Sequence, residues 1–177
     1  MVLESHEKAK QERTANTAAF DAMVAKLNPT MGVGRPSYIP SLDRIDMPPA
    51  ESFVAYENYC FTMGHELGHW TGAGPRCNRK GITERTGFGF GSSPYAYEEL
   101  VAEWVSTLLA NHFGLRESEK DAQNRASYLK GWDSKLKGNP ESLVDSFRDA
   151  EKAFSWALTA SGERLSYEEQ QAKELAA

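Results

Sequence analysis

Two histidines spaced i and i+4 bracket a glutamate in the run His65-Glu66-Leu67-Gly68-His69. On a helix those positions share one face about one turn apart, so both imidazoles can reach a single ion at the ~2.0–2.1 Å that zinc requires. Glu66 leans toward the same side and can take a proton from a water on that ion. Further along, Glu98-Glu99-Leu100-Val101-Ala102-Glu103 offers more oxygen donors, with Glu99 and Glu103 again at i and i+4, flanking the apolar face led by Leu100 and Trp104. A carboxylate at the edge of a core-facing stripe is costly to bury alone, and a cation supplies its partner. The chemistry these residues imply is metal-assisted hydrolysis, with a third ligand of the right type in the second run.

The flanking pattern supplies the elements that would position them. Apolar side chains at Phe53, Tyr56, Cys60, Met63 and Leu67 recur at intervals of three and four, which predicts a helix opened by Pro49 and ending after Trp70. The two histidines lie off that stripe, while Gly64 and Gly68 leave a bare strip where another backbone can pass closely. A second core helix is expected from Ser93-Pro94 to about His112, with Leu100, Val101, Trp104, Val105, Leu108 and Leu109 inward and Gly114 as its stop. Between the two, Thr71 to Ser93 reads as a long surface loop. Its Gly87-x-Gly89-x-Gly91 run lacks the Gly-Lys-Ser/Thr ending of a phosphate loop and reads as a flap able to open over the ion. Upstream, Phe20, Met23, Val24 and Leu27 anchor a helix within Glu4 to Leu27, and the proline-rich stretch Asn28 to Pro49 holds a hairpin of Ser37 to Ile39 and Arg44 to Met47 at a sheet edge. Downstream, helices are expected from Ser118 to before Gly138 and from Asn139-Pro140 to about Ser161.

The chain has 177 residues, a net charge of −5 and a sequence pI near 5.4. That length suits one domain, and that charge argues against a basic nucleic-acid surface. Cys60 and Cys77 stand outside any Cys-x-x-Cys pair and read as reduced thiols of a cytosolic protein. The first residues lack a signal-peptide core, and nowhere do the ~18 uninterrupted apolar residues of a membrane span occur.

The second glutamate run resembles the Glu-x-x-x-Asp/Glu arrangement of thermolysin-like zinc peptidases. That resemblance implies Glu99 as third ligand and Glu103 as acceptor for the far nitrogen of a ligand histidine, with an exchange of these two roles left open. Taken with Trp70-Thr71-Gly72, Arg76, Arg79, Phe90-Gly91-Ser92 and Tyr95-Ala96-Tyr97, the chain resembles the zincin-like metallopeptidase domain of ArdC-type antirestriction proteins and of phage or plasmid polyvalent proteins, over about Gly34 to Ala160. The resemblance implies an α+β, mostly helical zincin-like fold with a small antiparallel sheet. Its expected divisions are an N-terminal helical segment 1–30, the metallopeptidase domain 31–162 and a polar tail 163–177.

On this reading Zn2+ is held by His65, His69 and Glu99, with Mn2+, Co2+ or Fe2+ also accepted by such ligands. Glu66 is the catalytic base, and Tyr95, Tyr97, Arg76 and Arg79 are within chain reach as transition-state or substrate contacts. The expected partner is a peptide or protein substrate, a host factor, in a bacterial cytoplasm, in the service of countering host defence. No membrane is expected. The single-stranded-DNA-binding domain of the antirestriction branch is not expected in so short a chain, so DNA binding is not carried over. The alternative is a non-catalytic, metal-stabilised protein that binds a host restriction, repair or regulatory factor.

Overall fold

The computed structural model describes residues 13–84, 93–117, 122–127, 130–131 and 140–164. Helix α1 (Ala15–Leu27) starts where Thr14 caps it, the Thr14 hydroxyl accepting from the Thr17 amide at 3.2 Å. It ends where Asn28 adopts the left-handed conformation and returns its N–H to the Val24 carbonyl. Phe20 and Met23 face inward and are almost fully buried.

Three short strands follow: β1 (Thr30–Val33), β2 (Ser37–Ile39) and β3 (Arg44–Met47). The expected hairpin is present, Tyr38 pairing antiparallel with Ile45, yet the sheet is mixed rather than antiparallel. Strand β1 joins the far side of β3 in parallel, Met31 opposite Ile45, so β3 is central and only β2 of the hairpin is an edge. Strand β1 has no apolar alternation to announce it, since Thr30, Met31 and Val33 are exposed. A Cβ on its Gly32 would lie 2.1 Å from Asp46 Oδ1, so the paired Arg44 and Asp46 side chains would have to shift to admit one.

The helix that carries the histidines, α2 (Tyr56–Trp70), begins later than Pro49. Ser52 turns both its amide and its hydroxyl onto the Pro49 carbonyl, at 2.9 and 2.6 Å, which closes a tight 3-10 turn over Ala50–Ser52. The chain is then extended at Phe53 and Ala55, so Phe53 reaches the core from outside the helix. Tyr56, Cys60, Met63 and Leu67 form the buried stripe, and the helix ends at Trp70 as its pattern implies.

A short helix α3 (Lys80–Thr83) precedes α4 (Ser93–Phe113), which stops at Gly114 with φ +63°. Helix α5 (Pro140–Ala160) lies against α4. One core unites Met23 of α1, Ile45 of β3, Leu67 of α2, Val101 and Val105 of α4, and Ala153 and Leu158 of α5. Helix α4 crosses α2 at its glycines. A Cβ on Gly68 would sit 2.7 Å from Ala102 Cα, and one on Gly64 would sit 3.4 Å from Ser106 Cα.

Residues 122–127 are helical, within the span expected for the third helix, most of which lies outside the described residues. The glycine flap at 87–91, residues 4–12 of the stretch expected to hold the N-terminal helix and nearly all of the polar tail also lie outside them. Among the described residues no helix is long and apolar enough to cross a membrane.

Candidate metal centre

The histidine face of α2 meets the glutamate face of α4 because the two backbones approach so closely at Gly68 and Ala102. His65 Nε2 and His69 Nε2 are 3.1 Å apart. Glu99 closes the triangle, one oxygen 3.6 Å from His65 Nε2 and the other 3.5 Å from His69 Nε2. Three donors at ~2.0–2.1 Å from a tetrahedral ion are separated from one another by about 3.3 Å, so this triangle has the size that such an ion needs. Among the described residues these three side chains form the group able to hold a metal ion, with ligand atoms all within 4.8 Å of one another. Two nitrogens and a carboxylate suit several divalent cations.

The far nitrogens of both rings face carboxylates. Glu103 Oε1 lies 3.2 Å from His65 Nδ1, and Glu98 Oε1 lies 3.8 Å from His69 Nδ1. Burial alone would lower the His65 pKa, but the Glu103 and Glu99 carboxylates outweigh it and push it up to about 10. Burial works against ionised Glu99 as well. The neighbouring histidines overcome it, with help from a hydrogen bond to Tyr95, and bring Glu99 down to about 2. Glu98, 3% exposed, is likewise held below the usual carboxylate range against its burial, by His69 and Arg79. Without a metal, a proton held on His65 offsets part of the negative charge of these carboxylates.

Glu66 is 6% exposed and lines, with His65, His69, Glu99 and Tyr95, a cavity of about 210 Å³. Pro36, Ser37 and Tyr38, at the start of β2, form another wall. A second cavity of about 510 Å³ opens beside His65, Glu99 and Glu103, between Phe61, Thr62 and Arg125.

The other residues expected near the substrate are elsewhere. Tyr97 lies two positions beyond Tyr95 on the same helix and therefore points away from it; its hydroxyl donates to Asp149 at 2.9 Å, and that burial and bond raise its pKa. Arg76 stacks 3.9 Å over the Trp70 ring, donates to the Trp70 carbonyl at 2.6 Å and pairs with Asp43. Arg79 is 7% exposed and pairs with Glu98 below the cavity floor. Arg76, Arg79 and Tyr97 do not line the cavity that holds Glu66, and Tyr95 does. Two residues at the site were not singled out from the sequence. Glu98 stood in the glutamate run without a role of its own, because its partner Arg79 is nineteen positions away along the chain. Tyr38 sits on a strand whose place beside α2 no periodicity conveys.

The family model for the zincin-like metallopeptidase matches residues 14–149. The chain belongs to that family. The DNA primase TraC of Escherichia coli is 36% identical over 124 residues, which are 70% of this chain and 11% of TraC. The antirestriction protein ArdC of plasmid R388 is similar in structure in its Mn(II)-bound form, with a TM-score of 0.63 and 27% identity over 85% of this chain and 54% of ArdC. Its metal-free form has the same TM-score at 25% identity, over 88% of this chain. The chain thus spans about a tenth of TraC and about half of ArdC. The mostly helical fold and the small sheet agree with this membership.

Proposed function

We propose that the chain is a divalent-metal-dependent peptidase domain, carried by a mobile element and acting on a host protein in a bacterial cytoplasm. The observation that carries the reading is the donor triangle of His65, His69 and Glu99 with Glu66 on the wall of the same cavity. The three ligands would hold Zn2+, or Mn2+ as in the ArdC structure. When bound, such an ion supplies Lewis-acid polarisation of a carbonyl and makes water a stronger acid. Glu66 takes the proton of the attacking water and returns it to the departing amine. Tyr95 is a hydrogen-bond neighbour of Glu99 that favours its charged form, and Glu103 places a carboxylate on the far side of the His65 ring, where it would favour the proton on Nδ1.

The outer side of β2 is a sheet edge, and its first residues border the cavity. An extended peptide added there as a further strand lies across the metal-facing wall, its main chain paired and its side chains alternating toward the cavity. The link to restriction rests on ArdC, an antirestriction protein. The name of TraC does not extend priming to this chain, which matches so little of it, and the net charge of −5 gives no support to a nucleic-acid surface.

The test is Glu66→Gln beside His65→Ala, each incubated with a peptide library and each assayed for protection of incoming DNA in a restricting host. Peptidase function requires that Glu66→Gln keep its metal yet lose hydrolysis by about 10²-fold or more, and that both variants lose protection. Protection lost in His65→Ala alone would instead establish the metal-stabilised binding protein.

A further inference from the structure

We infer that Glu98, clamped by Arg79, is a positioning residue for His69, so that each ligand histidine of the site is oriented by its own carboxylate. The inference rests on the reading of His65, His69 and Glu99 as metal ligands. Around His65 the Nε2 atom faces Glu99 and the Nδ1 atom faces Glu103. Around His69 the same division holds, with Nε2 facing Glu99 and Nδ1 facing Glu98 at 3.8 Å. Both contacts are ion-pair contacts rather than hydrogen bonds, and a carboxylate placed beside Nδ1 favours the proton on that nitrogen, which leaves the Nε2 lone pair for the ion.

Glu98 reaches this place through a buried lattice of bonds. Arg79 Nε donates to both Glu98 oxygens at 3.1 Å, and Arg79 Nη2 donates to Glu98 as well. The same guanidinium donates to the Gly68 carbonyl at 2.6 Å and to Thr71 Oγ1 at 3.0 Å, at the end of the helix that carries His69. One planar fork thus ties α4 to the C-terminal turn of α2 and aims Glu98 at the ring between them. Room for the carboxylate is kept by Gly81, where a Cβ would come within 3.0 Å of Glu98 Oε2. Two charges buried to this depth are a weak source of stability compared with apolar side chains of similar volume. Their position behind a ligand histidine gives them a use that packing alone does not.

The difference between the two carboxylates is a consequence. Glu98 is neutralised by Arg79, whereas among the described residues the ion-pair contact of Glu103 is with His65. The Glu98 side is the rigid half of the site, set by a buried bidentate pair.

The experiment uses the full chain and Zn2+ as the probe, with affinity from competition against a chelating dye. Ring-nitrogen NMR of the Zn2+-loaded protein reports which nitrogen of each histidine carries the proton. The wild-type titration tests the metal site itself: without one tight Zn2+ per chain, the ligand reading falls, and this inference with it. Given that binding, Glu98→Gln is expected to lower Zn2+ affinity about 10–100-fold and to disturb the His69 ring signals while leaving those of His65. Arg79→Lys, which keeps the charge but loses the fork, is expected to fall between the two. Arg76→Lys, a comparable change at the end of α2 that touches neither histidine, is expected to stay within about threefold of wild type. A folded Glu98→Gln with wild-type affinity overturns the inference, as does an equal loss in Arg76→Lys. Should Glu98→Gln fail to fold, Arg79→Lys decides by the same criterion.

Discussion

Replacing Gly68 by alanine separates local helix energetics from the geometry that assembles the site. In an isolated helix the change is favourable by about 1 kcal/mol. Here the added Cβ would meet Ala102 Cα at 2.7 Å, Ala102 O at 3.1 Å and Ala102 Cβ at 3.2 Å. Ordinary carbon contacts begin near ~3.5 Å, so α4 must retreat by about 0.8 Å at the crossing. No flexible side-chain end is available to yield, because the opposing atoms belong to the backbone or to an alanine. Overpacking of this kind costs about 1–3 kcal/mol, which leaves the metal-free protein less stable by up to about 2 kcal/mol after the propensity gain.

The larger effect falls on the metal. Ala102 lies between Glu99 and Glu103 on α4, and a retreat of about 0.8 Å exceeds the ~0.2 Å tolerance of ligand distances. Zn2+ affinity should therefore drop at least about tenfold, or 1.4 kcal/mol. Gly64→Ala is the internal control, since its Cβ would find Ser106 Oγ at 3.3 Å and Cα at 3.4 Å, close contacts that need only tenths of an ångström of adjustment. The two variants share the propensity gain, so their difference in urea denaturation isolates the overpacking at Ala102, about 1–3 kcal/mol. Equal stability and equal Zn2+ affinity for Gly64→Ala and Gly68→Ala would refute the argument that glycine permits the approach on which the site depends.

Metal uptake should expel a proton. With His65 pushed up to about 10, calorimetry in buffers of different ionisation enthalpy should find about one proton released per Zn2+ at neutral pH, and affinity should rise about tenfold per pH unit below that value. In the metal-free protein, stability supplied by His65 is complete below its ordinary value of 6.5 and is lost as pH rises toward about 10. Stability supplied by Glu99 is complete above its ordinary 4.5 and is lost as pH falls toward about 2, so urea midpoints of the metal-free chain should be highest between those two ordinary values. Arg76→Ala removes the cation over Trp70 and the pairing with Asp43, and should cost about 1–2 kcal/mol in urea denaturation. Cys60, fully buried and with its thiol pushed up to about 12 chiefly by that burial, should resist alkylation in the native protein and react on unfolding, as mass spectrometry can follow.

The elements of the site were legible where a periodic pattern carried them. The apolar stripe of α2 and the wide face of α4 announce two packed helices, and their residues occupy the core. The boundary at Pro49 was misread because a proline at a first turn is compatible with both an α-helix and the 3-10 turn that Ser52 closes. Strand β1 was missed because it is paired through its backbone while most of its side chains face solvent, so its residue types record little of its position. Arg76, Arg79 and Tyr97 were placed near the substrate by chain distance. Chain distance carries no direction, and each of the three is spent on Asp43, Glu98 or Asp149 instead.

The amino-acid sequence alone determined what depends on spacing along one helix: that His65 and His69 share a face away from the core stripe, that Glu66 accompanies them, and that Gly64 and Gly68 leave that helix open to a neighbour. A fixed rise and turn per residue makes such relations local. Tertiary structure decided everything that depends on how one helix meets another. It set Glu99 against both Nε2 atoms and Glu103 against His65 Nδ1, and it set Glu98 behind His69 with Arg79 to hold it. Those choices follow from the register and depth at which α4 crosses α2, and a crossing is fixed by the packing of side chains far apart in the chain.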